Sequence, residues 1–387
     1  MKIDELAKAF ESLYKRKPAG AASAPGRVNL IGEHTDYNGG FVLPMAIERR
    51  TVALFAARDD SLVNFSSVQA GPYALSVHLD GPIVPAEMPP WANYTKGVIA
   101  AMREKGLKLR GADMLLASDV PLGGGLSSSA SLEVATAVAM LEVAGLTGTV
   151  ADRDLALLCQ KAENVYAGAP CGIMDQSIAV MGRAGQALLL DCRDGATRHI
   201  PFNDPSLVLL VADTQVKHTI GDGGYPARRV QCQEAAVALG VALLREATLA
   251  QVEQAQAAGK LHGKQYVRAR HVVTEIARTV EAVAVLEKGD YAAFGRLMYG
   301  SHASLRDDFE VSCPELDTIV EAAAKCEGVF GARMTGGGFG GCAIVLVRAD
   351  RAADAEAAIV KAFESAFGRA CPVFATRAAD GAGRVRI

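Results

Sequence analysis

Apolar residues recur at helical spacing among the Lys, Asp, Glu and Arg of Met1 to Arg16, which predicts a surface helix. Short apolar, β-branched runs at residues 41–56 and 61–79 predict strands. Asp113 to Ser118 is another strand, placed directly before a glycine-rich turn, and the Ala-, Leu- and Val-rich stretch Ser128 to Ala144 predicts the helix after it. A second helix is expected over Asp152 to Tyr166, opened by an Asp cap and closed near Gly168 and Pro170. Strand-like runs return at Ala187 to Cys192 and Leu207 to Asp213. Beyond them the pattern turns helical at Ala227 to Leu239, Gln265 to Lys288 and Cys313 to Lys325. A glycine-rich loop, a strand at Cys342 to Val347, a helix at Ala352 to Phe367 and a last strand near Val373 to Thr376 complete it. Strand-rich and helix-rich stretches without strict alternation predict an α+β architecture. A boundary near residue 200 is expected, giving units 1–200 and 201–387.

Composition narrows the field. The 387 residues are 50% hydrophobic and 21% charged, a balance that supports a sizeable globular core. A formal charge of -3, with Lys and Arg spread along the chain, provides no basic stripe for nucleic acid. Apolar runs are far shorter than the roughly 20 residues that span a bilayer, and the N-terminus lacks a signal-type apolar region, so no membrane partner is expected. Eight scattered cysteines without a CxxC pair point to reduced thiols and a cytoplasmic protein. The seven histidines show no HxH or HExxH spacing for zinc.

The chemistry concentrates in four segments. Pro121-Leu-Gly-Gly-Gly-Leu-Ser-Ser-Ser-Ala-Ser131 stands between a strand and a helix. Gly123, Gly124 and Gly125 allow close backbone approach, and unpaired amides at the helix start, with Leu126, Ser127, Ser128 and Ser129, form a phosphate cradle. No Gly-Lys-Ser/Thr follows, so it is not a Walker A loop. The second glycine loop, Met334 to Cys342, predicts a further segment of exposed amides and a shared anion site.

Pro25 to Gly40 packs Arg27, Glu33, His34 and Asp36 into a strand running into a loop. Carboxylates and an imidazole suit the discrimination of sugar hydroxyls, since an unpaired buried polar group costs about 1–3 kcal/mol. Glu163 and Asp175 flank the turn Ala169-Pro-Cys-Gly172, which brings both carboxylates to one pocket. Hard oxygen donors suit Mg2+, with Glu163 the expected ligand and Ser129 its companion. Asp175 has two open roles: accepting a substrate hydroxyl proton, or holding that hydroxyl and an arginine in line.

Together these segments resemble the galactose, homoserine, mevalonate and phosphomevalonate (GHMP) small-molecule kinases, and within them the galactokinase family. Three family motifs occur in order, at Gly26 to Tyr37, Gly123 to Ser131 and Gly336 to Gly341. Gly32-Glu-His-Thr-Asp-Tyr37, Cys171-Gly-Ile-Met-Asp-Gln176 and Ser301 to Asp317 look specifically like galactokinases. The resemblance implies two domains, the first on a mixed sheet and the second helix-rich on an antiparallel sheet, with the active site between them. It implies ATP as co-substrate, Mg2+, and galactose as acceptor at C1, with no obligate protein partner.

By the same resemblance Arg27 stabilises the transferring phosphoryl group and Asp175 takes the proton. Glu33, His34, Thr35, Asp36, Gly172, Asp175 and Tyr225 hold the sugar. Gly123 to Ser129 bind the ATP phosphates, and Ser129 and Glu163 bind the metal. One departure stands out: the chain reads Gly221-Asp-Gly-Gly-Tyr225 where galactokinases commonly carry Ser-Glu before the tyrosine. That change leaves N-acetylgalactosamine or another small alcohol as a competing acceptor. A non-catalytic sugar and nucleotide sensor is the competing class.

Overall fold

The computed structural model describes residues 2–216 and 224–387. In chain order the first stretch holds α1 (Ile3–Tyr14), β1 (Gly20–Asn29), β2 (Phe41–Val42), β3 (Pro44–Ala57), β4 (Leu62–Ser67) and β5 (Gly71–His78). Next come α2 (Ala92–Glu104), β6 (Ala112–Ser118), α3 (Ser128–Ala144), α4 (Asp152–Lys161), α5 (Met174–Met181), β7 (Gln186–Asp191), β8 (Thr197–Pro201) and β9 (Leu207–Asp213). The remainder holds α6 (Gly224–Leu239), α7 (Leu249–Ala257), α8 (Gly263–Leu286), α9 (Tyr291–Asp307), α10 (Pro314–Ala323), β10 (Val329–Thr335), β11 (Cys342–Arg348), α11 (Ala352–Phe367), β12 (Val373–Thr376) and β13 (Gly383–Val385).

Six strands form the first sheet in the order β13-β1-β3-β6-β4-β5, mixed because β4 runs parallel to β6 while the other pairs are antiparallel. Small residues in β1, Ala22 and Ala24, leave room for α3 to lie close, while Ala21 faces α1 on the other side of the sheet; the Ser131 hydroxyl donates to the Ala24 carbonyl at 2.8 Å. α3 is apolar on nearly every side because α2, α4, α5 and the sheet surround it. The second large sheet, β10-β11-β9-β12, is wholly antiparallel and carries the later helices. A third sheet, β2-β7-β8, was not foreseen in the pattern. The α+β reading with its mixed and antiparallel sheets agrees with this architecture.

Two apolar cores flank the sheets, and a third joins them: Val28 and Leu30 pack with Leu209 and Val211 of β9, Ile344 of β11 and Phe294 and Met298 of α9. This shared core presses the motif after β1 against the loop between β10 and β11. β13 returns from the C-terminal end of the chain to pair with β1.

The expected helix over Asp152 to Tyr166 is divided. α4 ends at Lys161, and Ala162–Tyr166 widens into a π turn. Ala151 is the N-cap and makes no side-chain cap bond, so Asp152 is the first helical residue and not the cap. Among the described residues no helix is long and apolar enough to cross a membrane.

Candidate active site

A cleft of about 600 Å³ opens where the first glycine loop, the segment after β1, the turn before α5 and the second glycine loop converge. Arg27 is its central cation. β1 bulges between Pro25 and Arg27, and the Arg27 amide bonds the Leu126 carbonyl at 3.0 Å, so the bulge aims the guanidinium at the glycine loop. Its Nε and Nη2 donate to Oδ1 and Oδ2 of Asp175, each at 2.8 Å, and Nη1 donates to the Gly125 carbonyl at 2.5 Å. Asp175 lies in the first turn of α5 and also accepts from the Ser127 hydroxyl at 2.5 Å. Ser127 stands at the α3 N-cap with φ 58°, yet its side chain serves Asp175 and not the helix.

Glu33, His34 and Asp36 all line the cleft. Glu33 Oε1 accepts from the Gly336 amide at 2.7 Å and lies 3.4 Å from Arg333 Nη1. Burial raises its pKa, against the lowering pull of Arg333 and Arg27. Both ring nitrogens of His34 are engaged: Nε2 donates to the Gly337 carbonyl at 3.2 Å, which leaves Nδ1 to accept from the Tyr37 hydroxyl at 3.0 Å. Burial, then neighbouring His271, pushes the His34 pKa down to about 3, so the ring is neutral. Asp36 is driven the other way, up to about 6, by burial and then by the charges of Asp175 and Glu33.

Gly172 sits directly against Asp36. A Cβ there would fall 1.6 Å from Asp36 Oδ2, so only glycine allows this approach. Its turn is held by Cys171, whose amide donates to Asn164 of the π turn at 2.7 Å and whose carbonyl accepts from Gln160 at 3.3 Å. Tyr225 closes the opposite wall, its ring 5.4 Å from His34 and 5.6 Å from Tyr37. The altered residues 221–223 before it lie outside the described residues.

Two expected positions do not reach the cleft wall. Thr35 is buried and its hydroxyl is shared between the Gly32 and Phe41 carbonyls, at 2.9 and 2.7 Å, so it ties the loop together. Gly124 turns toward Pro121 and Cys342, whereas Gly123, Gly125, Leu126, Ser127, Ser128 and Ser129 form the wall.

The second glycine loop differs from the expected row of free amides. Gly336, Phe339 and Gly341 donate to Glu33, to the Val311 carbonyl at 2.6 Å and to the Val216 carbonyl at 3.1 Å. Its glycines serve close backbone contact instead. Gly336, at φ 87°, would place a Cβ 2.8 Å from the Gly125 carbonyl oxygen.

Glu163 projects from the π turn and lines the cleft together with Ser129, with burial and then Asp175 raising its pKa to about 7. Among the described residues it has no ion-pair partner, and no cluster of three or more His, Cys, Asp or Glu forms a ready-made metal cage. One carboxylate and one hydroxyl nevertheless match the sparse oxygen set that Mg2+ takes when phosphates and water complete its shell. Sequence reasoning missed Tyr94 and Val216, which also line the cleft. Met174 and Phe339, also in its wall, and Gln176 belong to the sequence motifs but carried no role of their own there.

A phosphate-type loop at a helix N-terminus, facing an acid-rich pocket on this fold of a mixed and an antiparallel large sheet, defines a GHMP-type small-molecule kinase. Family models agree, matching the GHMP kinases N terminal domain at residues 93–183, the GHMP kinases C terminal at 282–365 and the galactokinase galactose-binding signature at 8–57. The galactokinase of Homo sapiens is 49% identical, covering 98% of this chain and 96% of its own, and that of Streptomyces coelicolor is 48% identical, covering 97% of each. The structure of Lactococcus lactis galactokinase complexed with galactose superposes with a TM-score of 0.92 at 33% identity, covering 99% of this chain and 100% of that one. Mevalonate kinase of Methanococcus jannaschii shares the fold alone, at TM-score 0.61 and 20% identity over 93% of this chain and 98% of that chain. The chain belongs to the galactokinase family.

Proposed function

We propose that this protein transfers the γ-phosphoryl group of ATP to the C1 hydroxyl of α-D-galactose, giving α-D-galactose 1-phosphate and ADP. The observation that carries the reading is the bidentate Arg27–Asp175 pair, seated between the first glycine loop and the Glu33–Asp36 segment. It stands where a γ-phosphoryl group and a sugar hydroxyl would meet.

In this reading the amides of Gly123 to Ser129 and the N-terminus of α3 hold the ATP phosphates. Glu33 and Asp36 accept hydrogen bonds from galactose hydroxyls, while Gly172 and Tyr225 shape the pocket around the ring. His34 acts through its ring stack and the bonds that place Gly337 and Tyr37. Arg27 and Ser127 hold the two Asp175 oxygens in a fixed orientation, so that the carboxylate receives the C1 hydroxyl. As the C1 oxygen bonds to the γ-phosphorus, the bond to the ADP oxygen breaks and the hydroxyl proton passes to Asp175. Arg27 faces the charge that builds on the transferring group. Positioning and charge complementarity supply most of the acceleration in such transfers. Mg2+ held by Ser129 and Glu163 would neutralise charge on the β- and γ-phosphates. A division into units 1–200 and 201–387, with β13 returned to the first sheet, is the matching domain proposal.

The direct experiment is a coupled assay of ADP release with galactose, N-acetylgalactosamine, glucose and homoserine. Galactose is expected to raise ADP release far above the sugar-free background and above the other acceptors. Release that responds to N-acetylgalactosamine or homoserine and not to galactose overturns the acceptor assignment.

A further inference from the structure

Gln176 follows Asp175 in α5, and its side chain is fully buried behind the cleft wall. The amide Nε2 carries two N–H groups, and two carboxylates receive them: Oε2 of Glu163 at 2.7 Å and Oε2 of Glu133 at 3.0 Å. Glu133 belongs to α3, four residues beyond Ser129 and so on the same helical face. Glu163 rises from the π turn and lines the same cleft as Ser129. One side-chain amide therefore ties the π turn to the helix that carries the phosphate loop, through two acids that would otherwise repel.

From this bridge we infer that Gln176 is a positioning residue that fixes the Glu163 carboxylate so that it and the Ser129 hydroxyl face a divalent cation together. The amide restrains Glu163 Oε2 without bringing a positive charge, so the carboxylate keeps its attraction for the cation. A lysine or arginine at this position would satisfy the same oxygens and cancel that attraction. Partners that orient a metal ligand in this way typically contribute 10–100-fold to metal affinity. The inference rests on the Ser129–Glu163 metal-site reading proposed above.

Mn2+ is a direct probe. Its affinity for the full-length protein with a non-hydrolysable ATP analogue is measured by electron paramagnetic resonance, and galactose affinity without nucleotide by calorimetry. Gln176→Met is expected to weaken Mn2+ about 10-fold while galactose affinity stays within about twofold, a split that general loosening of the core would not produce. Gln176→Leu removes both donors with a different side-chain shape, and the same split is expected; circular dichroism identifies which variants are folded. An unchanged Mn2+ Kd in either folded variant, or a parallel loss of galactose affinity, overturns the inference. Glu163→Gln separates the two levels. If it weakens Mn2+ while the Gln176 variants do not, only the positioning role fails; if it leaves Mn2+ binding unchanged, the metal-site reading fails as well.

Discussion

The two glycine-rich loops look alike in sequence and do different work. Among the described residues, the amides of Gly123 to Gly125 and of Leu126 and Ser127 donate to no protein acceptor, and the first turn of α3 leaves its own amides free as every helix start does. In the loop from Gly336 to Gly341, three amides are already bonded to Glu33, Val311 and Val216. One loop leaves its backbone amides open beside the cleft; the other uses glycine to bring strand β10 against the first loop and to latch the Glu33 carboxylate. A glycine run therefore signals close backbone approach, and only the surrounding acceptors decide whether the partner is phosphate or protein.

The largest expected effect is on the residue between the loops. Arg27→Ala removes the guanidinium from both Asp175 and the Gly125 carbonyl. Loss of a preorganised donor of this kind lowers kcat by about 10²–10³-fold, and steady-state kinetics on the folded variant reads it. A kcat within a few-fold of the parent would remove Arg27 from the chemistry.

Next in size is a substitution that separates the loops themselves. Gly336→Ala combines a φ of 87° with a 2.8 Å approach to Gly125. Strain of this type costs about 1–3 kcal/mol, so a lower thermal midpoint and raised KM values for both substrates are expected. Gly124→Ala meets only ordinary contacts, with Pro121 at 3.4 Å, and should hold its stability within about 0.5 kcal/mol. Equal stability losses in the two variants would erase the contrast.

A pH titration sharpens the sugar side. With the Asp36 pKa up at about 6, its carboxylate accepts hydroxyl donors above that pH and loses this capacity below it, so galactose affinity falls as the solution is acidified through about 6. The stability term has the opposite slope. A folded pKa raised above the unfolded value of 3.8 means that the native state binds the proton more tightly, so this contribution is full below 3.8 and is lost as pH rises through about 6. Asp36→Asn should flatten that part of the stability profile. A galactose Kd that is level from pH 5 to 7.5, roughly a unit or more either side of that value, would argue against Asp36 as an acceptor.

Smallest is His34→Gln. Losing the ring stack and one of two hydrogen bonds, each contributing about 1 kcal/mol, should raise galactose KM several-fold with kcat nearly preserved.

Much of this was readable in the chain because local chemistry and final position coincide. The apolar run of α3, the β-branched strand β3 and the cluster Arg27, Glu33, Asp36, Glu163 and Asp175 all follow from pattern and residue type. β1 was only partly visible, since Ala, Gly, Ser and Pro give no clear alternation. The π turn at Ala162–Tyr166 has helical residues and no distinguishing side chain, so the redirection of Glu163 was hidden. The inward turn of Thr35 and the engaged amides of the second loop depend on partners hundreds of residues away or on loop geometry, which spacing does not carry.

The most direct test is a single-turnover measurement of galactose 1-phosphate formation by Asp175→Asn with saturating galactose and MgATP. The variant should still bind both substrates while the chemical step slows by about 10²-fold or more. Product formation at the parent rate would contradict the placement of the reaction at the Arg27–Asp175 pair.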